Sequence, residues 1–464
     1  MRNQYYPLRS EILAAFALCV ALSVAFNPSG GTILAAEGEH YDAGITADHY
    51  SSDIANAHTH SDYFNNSGRY GVCDRFLHIE QLDEGYELKL GHGKCSPLFK
   101  FDGWIESGVY ANSHGSTRHT DSSGSHFGGN GPMHVYGNQR TDFTLQQIYL
   151  YGEKEMDTTC GFDWGFRTDM IYGADGVGAQ CYGDRSFDYD WATNDDGYGL
   201  AMYQLYASVG YKKLSVRGGK FITPVGWEAV ASKNNFFYSH SYCYWLEPST
   251  HVGALADYAV NDKLTLTGGW TAGCENGFEN RFNDTGFILG FTYHVTDKTS
   301  IHYYVADGKT KNGTWSDGTW RLQSSTLDRQ DYFVQSLCFE WRPTDRFTYM
   351  FQYNLRNDTE IATGIGTQSH LSSYGINNHL IYRLTDNLGV GVRAEWLRDN
   401  GGYVTDSGTD YLGLTLGFNW NPSRHWSIRP EIRYDQSCTS SVKPFNDGRD
   451  TAQISGGLGI LYMF

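Results

Sequence analysis

The sequence predicts an all-β protein: a transmembrane antiparallel β-barrel of sixteen strands behind an N-terminal signal peptide. Three observations carry the prediction. From residue 99 onward apolar residues recur with period two, the strand period, rather than 3.6. The connections between these alternating segments are short and long by turns. The last alternating segment ends on an aromatic residue, Phe464.

Composition narrows the class first. The 464 residues include 34 Tyr, 25 Phe and 12 Trp, enough large apolar surface to exclude a disordered chain. Mean hydropathy is −0.47, which excludes a polytopic helical membrane protein. Gly is high at 54 and Pro low at 10, the balance of a turn-rich β protein. Net charge is −17, without the basic footprint that nucleic acid requires. The acidic excess reads as solvated surface loops.

The N-terminus reads as an export signal. Arg2 and Arg9 flank a short polar stretch, residues 12–26 are apolar (ILAAFALCVALSVAF), and small residues follow. That order is a secretory signal peptide, residues 1–36, with Ala25 as an earlier cleavage point. Cys19 lacks the small residues that a lipoprotein signal places before its cysteine. Residues 37–98 show no periodicity and read as an N-terminal periplasmic extension. Cys73 and Cys95 are expected to pair there, since both precede the repetitive part. The connectivity of the other cysteines stays open. His58 and His60 read as part of the extension rather than as a metal site.

Strands are expected near 99–112, 142–156, 162–174, 199–213, 214–223, 250–260, 263–273, 285–296, 299–307, 329–342, 345–356, 371–385, 387–399, 409–421, 424–437 and 450–464. The third places Trp164, Phe166, Thr168, Met170 and Tyr172 on one face and Asp163, Arg167 and Asp169 on the other. The fifteenth does the same with Trp426, Ile428, Ile432 and Tyr434 against Arg429, Glu431, Arg433 and Asp435. Most segments have the roughly 9–11 residues that cross a bilayer at a tilt. Seven connections are short and eight are long, running over 113–141, 175–198, 224–249, 274–284, 308–328, 357–370, 400–408 and 438–449. That rhythm is the one of an outer-membrane barrel, with short periplasmic turns and long external loops.

Closure follows from physics. Inside hydrocarbon every backbone N–H and C=O needs a protein partner, so the sheet has no free edge. Outward residues are expected to be apolar, and inward ones polar around enclosed water. Tyr211, Trp341, Trp420 and Tyr462 are placed for interfacial girdles.

The residues expected to carry function follow from that geometry. Inward Arg167, Arg217, Arg356, Arg383, Arg393, Glu395, Arg429, Glu431 and Arg433 would line the lumen as fixed charges of mixed sign. The connection 224–249 is too aromatic for a solvated loop. Folded into the lumen, its Trp227, Glu228, Phe236, Phe237, Tyr238, His240 and Glu247 would form a constriction, with Glu228 and Glu247 facing the arginines. HExxH, GxSxG and GxxxxGK[ST] are missing, so no enzyme, cofactor or metal is expected. His114, His119, His126 and His134 read as solvated loop residues.

Several segments resemble the OmpL-like β-barrel porin family: residues 219–229 (GKFITPVGWEA), 235–243 (NFFYSHSYC), 247–259 (EPSTHVGALADYA), 375–400 (GINNHLIYRLTDNLGVGVRAEWLRDN) and 429–436 (RPEIRYDQ). The resemblance covers residues 99–464 and implies an outer-membrane porin passing small hydrophilic solutes and ions by passive diffusion. It supplies no substrate. Phe464, with Tyr462 and Ile460, looks like the signal that the barrel-assembly machinery reads. The remaining partners are outer-membrane lipid and, as in other sixteen-stranded porins, two further copies in a homotrimer. The alternative is a structural or adhesive outer-membrane barrel with an occluded lumen.

Overall fold

The alternation seen in the sequence sets the strands, and their boundaries fall where it stops. The structure, a computed structural model, describes residues 86–89, 98–114, 135, 143–181, 187–188, 191–194, 197–279, 285–311, 313–316, 319–322, 329–359, 361–363, 366–368, 371–400, 408–446 and 448–464. These belong to one compact unit, His58–Phe464. The signal peptide 1–36, the extension residues His58 and His60, the Cys73–Cys95 pair, and His119, His126 and His134 lie outside the described residues.

Sixteen strands build one sheet. They are β1 (Leu98–Asn112), β2 (Phe143–Lys154), β3 (Phe162–Gly173), β4 (Gly199–Tyr211), β5 (Leu214–Ile222), β6 (Thr250–Ala259), β7 (Leu264–Cys274) and β8 (Gly286–Thr296). There follow β9 (Thr299–Lys311), β10 (Arg329–Thr344), β11 (Phe347–Thr359), β12 (Leu371–Thr385), β13 (Leu388–Asp399), β14 (Thr409–Ser423), β15 (Trp426–Ser437) and β16 (Ala452–Met463). Each pairs antiparallel with the next. β16 then returns to β1 over nine residue pairs, from Trp104↔Met463 to Asn112↔Ser455. The ring is therefore closed, and the Phe464 amide donates to the Gly103 carbonyl at 3.0 Å across the closing seam. A short strand, Tyr86–Lys89, adds to the start of β1.

Every expected strand is present. Two long connections hold more order than their composition suggested. β9 extends to Lys311, and small hairpins form at Gly313–Ser316 with Thr319–Leu322 and at Ile361–Thr363 with Gly366–Gln368. Short local pairings of this kind need no long-range alternation, so the period offers no warning of them.

Side chains sort by face. Along β3, Phe162 and Trp164 point out and stay exposed, while Asp169 and Ile171 point in and are buried. Along β15, Trp426, Ile432 and Tyr434 are exposed, while Arg429, Arg433 and Asp435 are buried. A charge facing lipid at midplane costs roughly 2–4 kcal/mol, which holds these arginines to the inner face. Tyr211, Trp341 and Trp420 are exposed beside the short turns, where an aromatic girdle belongs. The turns themselves are fixed locally: Asn261 Oδ1 accepts from the amides of Lys263 and Leu264 at 2.9 and 3.0 Å, and Lys212 adopts φ 54°. Among the described residues no helix is long and apolar enough to cross a membrane; the strands do so.

The expectation of a polar inner face needs one correction. It holds on β13 and β15, but on β6, β8, β9 and β10 the inward Leu255, Ile288, Ala306 and Val334 are apolar and fully buried. Period two fixes which face a residue takes, not what that face meets. Here it meets Phe221 and Val225 instead of water.

Candidate functional site

The connection 223–249 between β5 and β6 is the part of the molecule whose sequence least fits an external loop. Its aromatic residues are buried: Phe236, Phe237, Tyr238, Tyr242 and Tyr244 all pack among inward-facing wall residues. The Trp227 ring approaches His302 of β9 at 6.4 Å. Six residues later Lys233 forms an ion pair with Asp102 of β1. β9 and β1 are eight strands apart in a ring of sixteen, so the segment crosses the lumen from side to side.

Local chemistry turns the chain inside the barrel. Asn235 bridges back to Ala229, accepting from its amide at 2.9 Å and donating to its carbonyl at 2.6 Å. Ser241 caps a one-turn helix, α1 (Tyr242–Leu246), by accepting from the Tyr244 amide. Ser241 in turn donates its own amide to Glu228 Oε2 at 2.7 Å.

The wall of β11 to β15 holds this segment through the residues that sequence reasoning placed in the lumen. Arg393 donates to Glu228 Oε1 (3.0 Å), the Ser239 carbonyl (2.6 Å), Ser239 Oγ (2.9 Å) and the His240 carbonyl (3.2 Å). Arg429 donates to the carbonyls of Ser232 (2.8 Å) and Asn235 (3.1 Å) and pairs with Glu106 of β1. Glu431 accepts the amides of Tyr238 and Ser239, and Glu395 the amide of Tyr242 at 2.7 Å. The Tyr242 hydroxyl donates to Asp435. Glu228, Arg393, Glu395, Arg433 and Asp435 thus form a buried chain of alternating sign, with links of 3.0, 2.6, 2.7 and 2.8 Å. Each buried charge has an opposite neighbour, which offsets the cost of removing it from water.

Other expected residues lie elsewhere. Arg356 pairs with Asp358 at 3.0 Å and reaches the Leu246 carbonyl. Arg217 pairs with Asp257 at 2.6 Å, away from the segment. The Arg167 side chain is 23 % exposed, between Asp169 and Glu153 and over the Tyr151 ring. Arg383 is half-buried near the short turn after β12. His240 stacks on Tyr244 at 3.8 Å. Glu228 faces an arginine, and Glu247 accepts from the side-chain amides of Gln352 (2.5 Å) and Asn354 (2.8 Å). Burial lifts the Glu228 carboxyl above its ordinary range, with Arg393 opposing. Burial also pushes the Cys243 thiol well up, and Glu247 adds to it. Cys181, Cys243 and Cys438 are thiols.

Sequence reasoning missed what seats the rings. Inward-facing glycines lie under them. A Cβ on Gly391 would meet Phe236 at 2.5 Å, on Gly417 Phe237 at 2.8 Å, on Gly459 Tyr238 at 2.5 Å, and on Gly108 Tyr238 at 2.6 Å. The signal was available: these glycines sit at inward parity, where a wall facing open water has no need to omit side chains.

Inward side chains stay partly wet at the short-turn end. Inward Glu153, Arg167, Tyr206, Ser208, His294, Arg342 and Arg383 keep partial exposure, all toward the short turns. Toward the long loops, inward Ile171, Ala201, Asp399 and Tyr411 have none. A second piece, the short helix Ala174–Ala179, adds Asp175 to the filled end, where Gln147 bridges it to the Val230 carbonyl. Among the described residues no group of three or more His, Cys, Asp or Glu could hold a metal ion.

Comparison with known proteins gives one family. The family model described as "Putative beta-barrel porin-2, OmpL-like" matches residues 98–464. No curated protein matches. Among solved structures the chain is similar to the outer membrane channel DcaP of Acinetobacter baumannii, with 10 % identity over 81 % of this chain and 100 % of that one and a TM-score of 0.49. It is likewise similar to an anion-selective porin from Comamonas acidovorans (10 % identity, 79 % and 100 % coverage, TM-score 0.49) and to OmpT of Vibrio cholerae (12 %, 81 % and 100 %, 0.48).

Proposed function

The chain belongs to the OmpL-like family of β-barrel porins, and we propose on that premise that the segment 223–249 sets what its lumen passes. The protein is an outer-membrane porin: small hydrophilic solutes and ions diffuse passively through the barrel, a channel role rather than a chemical one. The observation that supports the assignment to the segment is its course from His302 on β9 to Asp102 on β1, across the full ring. In this reading Arg393, Glu395, Arg429, Glu431 and Arg433 are anchors, because the segment uses their hydrogen bonds. Arg167 and Arg383, at the wet end, are the fixed charges that a solute meets, with Arg217 deeper on the same wall. Mixed signs there give weak ion selectivity.

The test is single-channel recording of the folded protein in planar bilayers, with reversal potentials across a salt gradient. Stepwise events with modest selectivity are expected; a folded barrel without events defeats the reading. Deleting 234–245 is expected to raise conductance, and unchanged conductance would remove the segment from the role. Residues 1–36 as the export signal, 37–98 as a periplasmic extension, Phe464 as the assembly signal and a homotrimer in the membrane complete the proposal. Mass spectrometry of the mature N-terminus and the migration of unheated protein check the first and last.

One observation favours a second reading. Inward Ile171, Ala201, Asp399 and Tyr411 at the long-loop end are fully buried, as in a structural or adhesive barrel with an occluded lumen. Loss of whole-cell binding after loop trimming, with solute uptake unchanged, would select it.

A further inference from the structure

The lumen is closed by two different kinds of contact, and the difference points to where it opens. One tier of directly paired inward positions runs through Arg217, Leu255, Gly269, Ile288, Ala306, Val334 and Arg356, from β5 to β11. Its middle is an apolar arc on β6, β8, β9 and β10, and the four side chains are at most 1 % exposed. Phe221 at the end of β5 and Val225 at the start of the crossing segment pack into the same cluster, with Tyr304 and Tyr332. An arginine bounds the arc on each side, and each is neutralised in the wall, Arg217 by Asp257 and Arg356 by Asp358. Toward the short turns the wall becomes polar: Thr267 with Asp257, then Thr265, Thr292 and His302.

We propose that this seam, where Phe221 and Val225 meet Leu255, Ile288, Ala306 and Val334, is the gate of the channel. It is a dry seal between the polar vestibule and the long-loop end. The inference rests on the porin reading and adds to it the residues that bar passage. Its physical basis is the inequality of the two sides. On the wall of β11 to β15 the segment is fixed by ion pairs, charge-assisted hydrogen bonds and rings set on glycines. Parting there leaves buried charges bare. At the arc the packing is apolar and non-directional, so parting exposes only hydrocarbon. A narrow hydrocarbon-lined gap also excludes water and hydrated ions until it widens or becomes polar. The seam is thus both the weakest line of closure and the barrier to ions.

The test makes the arc polar and leaves the anchors alone. Full-length mature protein carrying Ile288→Asn or Val334→Thr is folded, checked by circular dichroism and heat-shifted migration, and recorded in planar bilayers in potassium chloride beside the wild type and the 234–245 deletion. Hydrating the seam is expected to raise small-ion conductance roughly five-fold or more. Val334→Thr keeps the side-chain shape, so it remains readable if Ile288→Asn fails to fold. Folded arc variants that conduct like the wild type, beside a deletion that conducts more, overturn the gate and leave the porin reading intact. Folded proteins that never conduct, the deletion included, overturn the porin reading itself.

Discussion

Arg393→Met isolates the hinge of the buried charge chain. The arginine is fully buried and makes four hydrogen bonds to the segment and one, at 2.6 Å, to Glu395. Its loss is not felt equally by its two carboxylates. Glu395 keeps Arg433 at 2.7 Å and the Tyr242 amide. Glu228 keeps only the contact with Ser241, and remains a buried carboxylate without its cation. Removing one member of a buried pair costs about 3–5 kcal/mol. As an equilibrium between seated and displaced segment, that is a shift of roughly a hundred-fold to a few thousand-fold. The single variant is therefore expected to show raised and noisier conductance in planar bilayers and a lower unfolding temperature in detergent. Arg393→Met with Glu228→Gln removes both charges and is expected to recover most of each change, a positive coupling in the double-mutant cycle. A single variant indistinguishable from wild type, or a double variant as perturbed as the sum of its parts, would refute the argument that Arg393 compensates the buried Glu228 carboxylate.

Three further outcomes follow from the same geometry. Gly459→Ala places a Cβ 2.5 Å from the Tyr238 ring and is expected to cost about 1–3 kcal/mol by overpacking, relieved by Tyr238→Ala in the same chain; Gly218→Ala, whose Cβ meets nothing nearer than 4.0 Å, is the neutral control in the same thermal melts. Glu228 titrates above the ordinary carboxylate range when the segment is seated and within it when displaced, so the seated form binds the proton more tightly. Seating is strengthened as pH falls through that window and weakened as pH rises through the seated value. Conductance is expected to drop on acidification, and Glu228→Gln to flatten the dependence. Leu289, outward on β8 and 51 % exposed, faces lipid; Leu289→Arg is expected to cost about 2–4 kcal/mol in folding titrations into vesicles, and no cost would contradict the assignment of faces.

Most of the barrel was legible because strand pairing in a membrane leaves a one-dimensional trace. Lipid outside forces apolar residues to one parity, as on β3 with Trp164 and Phe166 opposite Arg167 and Asp169. Seven short and eight long connections then fix the order of neighbours and bring both ends to the short-turn side. The aromatic content of 224–249 marks it as misplaced in solvent, and the sequence alone points to both Glu228 and Arg393. Their contact was not legible. They lie 165 positions apart, and only the closed ring brings them to 3.0 Å.

What the sequence determined alone was parity, strand count and the presence of one segment too aromatic to stay outside. The tertiary structure decided what each inward face meets. Glu247 finds Gln352 and Asn354; Gly391, Gly417 and Gly459 serve as seats for rings; Leu255, Ile288 and Val334 turn inward onto Phe221 and Val225. Periodicity is a property of neighbours along the chain, imposed by one environment acting on every strand alike. The filling of the lumen is a property of residues far apart in sequence, and it exists only once the ring has closed around them.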